Sequence, residues 1–114
     1  MSQATHLISW NDFIKIEMRT GTIIAAEVFK EAKKPAYKIT IDFGTLGTRK
    51  TSAQVTTLYT CEELIGKQVI AIINFPPKQI ATMQSECLLL GAVDGEEVTL
   101  LSTERPVKNG LRIA

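Results

Sequence analysis

The sequence predicts an all-β domain, a closed or partly closed barrel of five or six short strands with one short helix between strands three and four. Three observations point there. Tyr37, Ile39, Ile41 and Phe43 alternate with Lys38, Thr40 and Asp42, the period of a strand with one dry and one wet face. Asp94-Gly95 separates two apolar runs, a strong local signal for a hairpin. No long stretch of the chain carries a helical period.

Residues 1–9 are polar and aperiodic and read as a flexible N-terminal segment, leaving 10–114 as the domain. Trp10, Phe13, Ile14 and Ile16 are spaced for a short helix, which Asn11 or Asp12 could cap. Met18 to Phe29 is rich in β-branched residues and forms the first strand, with Gly21 marking a bend or a close backbone approach. The charged run Lys30 to Lys34, closed by Pro35, is a connection. After the alternating second strand, Gly44 to Gly47 is a turn and Thr48 to Val55 pairs back as the third strand. Thr60 caps a helical turn from Cys61 that Gly66 stops. Val69 to Asn74 reads as a strand buried on both faces, ended by Phe75-Pro76-Pro77. Glu86 to Val93 and Glu97 to Leu101 supply the last strands, and the tail around Pro106 and Gly110 is irregular and lies on the surface.

With 114 residues the chain has room for a single core. The longest apolar run, Val69 to Ile73, is five residues against the roughly twenty that a spanning helix needs, so no membrane insertion is expected. The first ten residues lack the pattern of a secretory signal, and Cys61 and Cys87 match neither a redox nor a zinc spacing; a cytoplasmic location and packing cysteines follow. His6 is the one histidine and no nucleotide-binding or metalloprotease motif occurs, so no catalytic residue, metal or cofactor is assigned.

The formal net charge of +1 excludes a polycation, yet between Lys30 and Lys50 six basic residues (Lys30, Lys33, Lys34, Lys38, Arg49 and Lys50) face only Glu31 and Asp42. Folded as a hairpin, this segment makes either a phosphate-binding patch or an edge whose lysines discourage aggregation. Both readings are open at this point.

The order Arg49-Lys50-Thr51-Ser52-Ala53-Gln54-Val55, Asn74-Phe75-Pro76-Pro77-Lys78, then Ser85-Glu86-Cys87-Leu88-Leu89-Leu90-Gly91 resembles the tRNA-binding domain family. Lys33-Lys34-Pro35-Ala36-Tyr37-Lys38, Ile41-Asp42-Phe43-Gly44 and Arg105-Pro106-Val107 are similar to one branch of it, the CsaA export-related chaperones. The resemblance implies a five-stranded oligonucleotide/oligosaccharide-binding (OB) fold, a Greek-key barrel with N- and C-terminal extensions, working as a homodimer. Trp10, Phe13, Ile14, Ile16, Leu111 and Ile113 are the dimer-interface candidates, the other possibility being that they pack on their own barrel.

The resemblance further implies a ligand groove. Arg49 and Lys50 would meet phosphates, Ser52 would line it, and Asn74, Phe75, Pro76 and Lys78 would shape its wall, with Lys33, Lys34 and Lys38 as a basic rim. The family's ligand-facing Ser-Glu-Gly-Met motif reads Ser85-Glu86-Cys87-Leu88 here, so Ser85, Glu86 and Leu88 join the set while cysteine replaces glycine and leucine replaces methionine. Cysteine narrows a close backbone approach and leucine loses a flexible fill, changes that favour an extended peptide over tightly bound tRNA. The expected function is therefore an ATP-independent chaperone of unfolded or pre-export polypeptides, with a tRNA-binding module acting in trans as the alternative.

Overall fold

The computed structural model describes residues 6–114. Met18–Val28 (β1), Tyr37–Asp42 (β2), Thr48–Ala53 (β3), Gln68–Ile72 (β4) and Leu88–Leu89 (β7) form one antiparallel five-stranded sheet in the order β3-β2-β1-β4-β7, curled into a nearly closed barrel. Two hairpins stand outside it, Lys78–Ile80 (β5) with Met83–Ser85 (β6), and Gly91–Asp94 (β8) with Glu97–Leu100 (β9).

Alternation decides which side chains go inside. Tyr37, Ile39 and Ile41 of β2 and Val69 and Ala71 of β4 are buried while their neighbours are only partly so. The strand over Val69 thus has one buried and one half-covered face, not two buried ones. Ile23, Ile39, Ile41, Phe43 and Leu64 have no exposed surface and fill the barrel. Gly21 is required where β1 crosses the core, since a Cβ there would lie 2.6 Å from Ile41 Cγ2 and 2.8 Å from the Phe43 ring. β1 carries an irregularity between Ile23 and Ala25, and beyond it continues alongside β2 to Val28.

The helix Cys61–Leu64 (α2) begins as expected, with Thr60 accepting from the Glu63 backbone N–H at 3.2 Å and Glu63 returning the bond. Its Leu64 closes one end of the barrel. The helix Trp10–Ile14 (α1) is capped by Ser9 instead of Asn11 or Asp12; Asp12 is the reciprocal partner in the capping box. Ser9, within the segment 1–9, thus takes part in capping α1, and the first five residues of that segment lie outside the described ones.

The C-terminal tail is tied down more firmly than its composition suggests. Gly110, Leu111 and Ile113 exchange backbone bonds with Thr20 and Met18 along the edge of β1. Thr20 Oγ1 donates to the Lys108 carbonyl at 2.8 Å, and the Gln68 amide donates to the Val107 carbonyl and accepts from its N–H. Glu17 joins both extensions by pairing with Arg19 and Arg112 at 2.8 Å each, and these cations hold its carboxyl below the usual glutamate range.

Candidate ligand-binding face

The outer wall of β2 and β3 is where an OB barrel offers its strands to a ligand, with the β1–β2 loop and the connection between β4 and β7 on either side. Here the second of these is the β5–β6 hairpin, absent from the sequence reading. Met83 and Ile80 of that hairpin pack against Phe29, Ala32 and Ala36 of the β1–β2 loop, a small hydrophobic cluster separate from the barrel core. The two flanking loops are thus joined to each other, and the face between them has fixed sides.

Register sorts the expected site residues onto two faces. Thr51 and Ala53 are buried, so Thr48, Lys50 and Ser52 point outward, opposite Asp42, Thr40 and Lys38 of β2. Arg49 shares the inward parity of Thr51. It is half-buried, and its Nε is buried with no partner among the described residues. Arg49 and Lys50 therefore lie on opposite faces of β3, because consecutive strand residues face apart.

Ser85 and Glu86 close the barrel. The Glu86 N–H donates to the Lys50 carbonyl at 2.7 Å, and its carboxylate accepts the Lys50 N–H at 2.9 Å. Thr51 Oγ1 donates to the Cys87 carbonyl at 2.8 Å and lies 3.2 Å from Ser85 Oγ, which also meets the Ser52 N–H. One backbone bond and these side-chain bonds stand here in place of a ladder between β3 and β7. Glu86→Ala should consequently cost about 1–2 kcal/mol of stability, read from urea unfolding, by leaving the Lys50 donor without its charged acceptor. An unchanged midpoint would show that solvent replaces the carboxylate at no cost.

Cys87 sits behind this seam, and burial pushes its thiol up to about 11 against the opposing charge of Arg49. It is a neutral packing residue, as the sequence suggests. Asn74 is likewise structural in its bonds, its amide donating to the Lys15 carbonyl at 2.6 Å and accepting the Glu17 N–H at 3.0 Å. It clasps the segment after α1 to the end of β4. Lys38 lies 5.3 Å over the Phe29 ring and 3.4 Å from Glu27, so part of its charge is already engaged.

What remains outward and exposed is Lys50, Lys78, Lys33 and Lys34, with Phe75 at 53% and Leu88 at 46% of their full surface and Pro76 in the loop beside them. Leu88 pairs with Ile72 and shares its outer face. Of the dimer candidates, Trp10, Ile14, Ile16 and Leu111 are exposed, while Phe13 and Ile113 are half-buried. Arg112 links the two groups by donating to the Ile14 carbonyl at 3.0 Å. No helix among the described residues is long and apolar enough to cross a membrane.

Comparison with known proteins places this geometry. A family model for a tRNA binding domain matches residues 18–112. The chaperone CsaA of Bacillus anthracis superposes with a TM-score of 0.91 at 44% identity, covering 96% of this chain and all of that one. The CsaA chaperone protein of Picrophilus torridus gives 0.89 at 50% identity over 95% of this chain and 100% of its own. The methionine–tRNA ligase of Nanoarchaeum equitans is 40% identical over 108 residues, 94% of this chain but 14% of the ligase. The chain therefore spans about a seventh of that relative's length. A match over the whole barrel and tail, together with full-length likeness at 44–50% identity, leads to one conclusion: the chain belongs to the tRNA-binding domain family, in its CsaA branch.

Proposed function

We propose that this chain is an ATP-independent chaperone assisting protein export, a cytoplasmic homodimer that holds unfolded or pre-export polypeptides on the outer face of its OB barrel. The observation that carries the reading is the exposure of the apolar pair Phe75 and Leu88 together with that of the lysines Lys50, Lys78, Lys33 and Lys34. Apolar side chains of a client lose water on the first pair, and its carboxylates and carbonyls find donors on the second. The branch membership supports the same function. Holding of this kind needs no nucleotide: binding the unfolded chain lowers its free concentration and slows its aggregation by mass action.

The dimer would use the apolar strip formed by Trp10, Ile14, Ile16 and Leu111, which the Arg112 contact gathers from both ends of the chain. In the test of function, equimolar protein without ATP slows the light-scattering rise of a chemically denatured client. Leu88→Asp combined with Phe75→Ser weakens that protection. Full protection by the double variant would remove this face from the account, and no protection by the wild type would remove the chaperone reading.

A second reading has its own support. Lys50 and Lys78 flank an outward wall of strand and loop of the kind OB folds use for nucleic acid, so the same face is proposed to bind tRNA in trans.

A further inference from the structure

The barrel has an opening that none of the expected site residues except Lys34 touches. A cleft of about 640 Å³ is lined by Lys34 and Pro35 of the β1–β2 loop, by Gln54, Thr56 and Thr57 beyond β3, and by Val93, Gly95, Glu96 and Val98 of the β8–β9 hairpin. It exists because β7 stays with β4 for two residues and the chain then turns away into β8. Gly91 permits that departure: a Cβ there would lie 2.6 Å from Val98 Cγ1.

The hairpin borders the cleft with an open strand edge. β8 and β9 pair only with each other. In their register Val93 opposes Val98 and Asp94 opposes Glu97 across the turn, so the backbone N–H and C=O of Gly91 and Val93 point away from β9. Among the described residues none of these groups has a backbone partner, whereas the edge of β9 is met by Tyr59, whose hydroxyl accepts the Leu100 N–H at 3.0 Å. Val93 is 73% exposed beside the cleft, an unusual place for valine on an unpaired edge.

We infer that the β8 edge and this cleft together bind an extended polypeptide segment by strand addition. This rests on the chaperone reading, since it takes extended polypeptide to be what the chain meets. The segment's main chain continues the hairpin as a third strand, and its alternate apolar side chains enter the cleft against Val93 and Val98. Charge selects the occupant. Lys34 on one wall and Glu96 on the other match a segment carrying one carboxylate and one cation, while the carboxylates of Asp94, Glu96 and Glu97 at the hairpin tip repel a polyphosphate. Polypeptide here and RNA at Lys50 and Lys78 are then compatible occupants, Lys34 being the one residue that the two surfaces share.

The test uses the full chain and a fluorescent heptapeptide of sequence Glu-Val-Thr-Val-Thr-Val-Lys, with a twin whose valines are N-methylated and cannot donate. The wild type binds the first and holds the twin about tenfold more weakly or worse. Val93→Pro removes the outward donor at Val93 and weakens the unmethylated peptide by a similar factor, while saturating bulk tRNA leaves the peptide bound. Equal affinity for both peptides overturns strand addition whether or not the proline variant folds. Peptide displaced by tRNA, or not bound at all, overturns the separate site. Protection from aggregation in the same wild-type preparation then tells whether the chaperone reading stands without it or falls as well.

Discussion

Phe43→Ala should lower the stability of the domain by about 3–5 kcal/mol, a large part of what a domain of this size possesses. Phe43 has no exposed surface and stands where three elements meet. Its ring occupies the space that a side chain at Gly21 would need, 2.8 Å from that ideal Cβ, so it fills the gap left by the glycine in β1. Its backbone N–H donates to the Gly47 carbonyl at 2.9 Å and closes the turn between β2 and β3. Its carbonyl lies 2.6 Å from where a Cβ on Gly110 would be, which brings the C-terminal tail across the same end of the barrel. Truncation leaves a void in the core beside Gly21 and Ile41, while the backbone contact with the tail stays. Thermal unfolding by circular dichroism should show a fall in Tm on the order of 10–20 °C. A fall of only a degree or two would mean that the barrel collapses into the space and that this end is softer than its packing indicates.

Lys50→Glu should weaken binding of bulk tRNA roughly tenfold at low salt and flatten the dependence of log K on log salt, whereas Arg49→Ala should leave the salt dependence nearly unchanged. The contrast follows from parity. Lys50 is exposed on the outer wall opposite Thr40, and Arg49 turns toward the barrel interior with its Nε out of water. A ligand phosphate on the outer wall meets the first and not the second. Arg49→Ala should instead appear in urea unfolding, through the loss of its half-buried side chain. Equal flattening by both substitutions, measured by filter binding over a salt series, would contradict the register drawn for β3.

Much of the barrel was legible in the chain because its signals are local. The alternation of Tyr37 to Phe43, the Thr60 cap and the Asp94-Gly95 turn each depend on neighbouring residues alone, and each appears where expected. The glycine at Gly21 also marked a close approach, although the residues it approaches could not be named.

The β5–β6 hairpin escaped because its strands have three residues each and its turn carries Ala81, at φ 48°, in place of the glycine or asparagine that normally announces such a turn. The seam between β3 and Ser85-Glu86-Cys87 was illegible for a different reason. It joins residues more than thirty apart through side chains, and no period or motif encodes such a contact. The tail along β1 spans an even greater distance in the chain. The separation of Arg49 from Lys50 was available from the period of two and was hidden by reading the pair as one basic unit.

The central claim, that this chain holds unfolded polypeptide without nucleotide, is tested most directly by light scattering after gel filtration of the protein mixed with a reduced, carboxymethylated client in ATP-free buffer. A new peak is expected whose mass is that of the client plus a dimer of this 12.6 kDa chain. Separate elution of client and protein, each at its own mass, would contradict it.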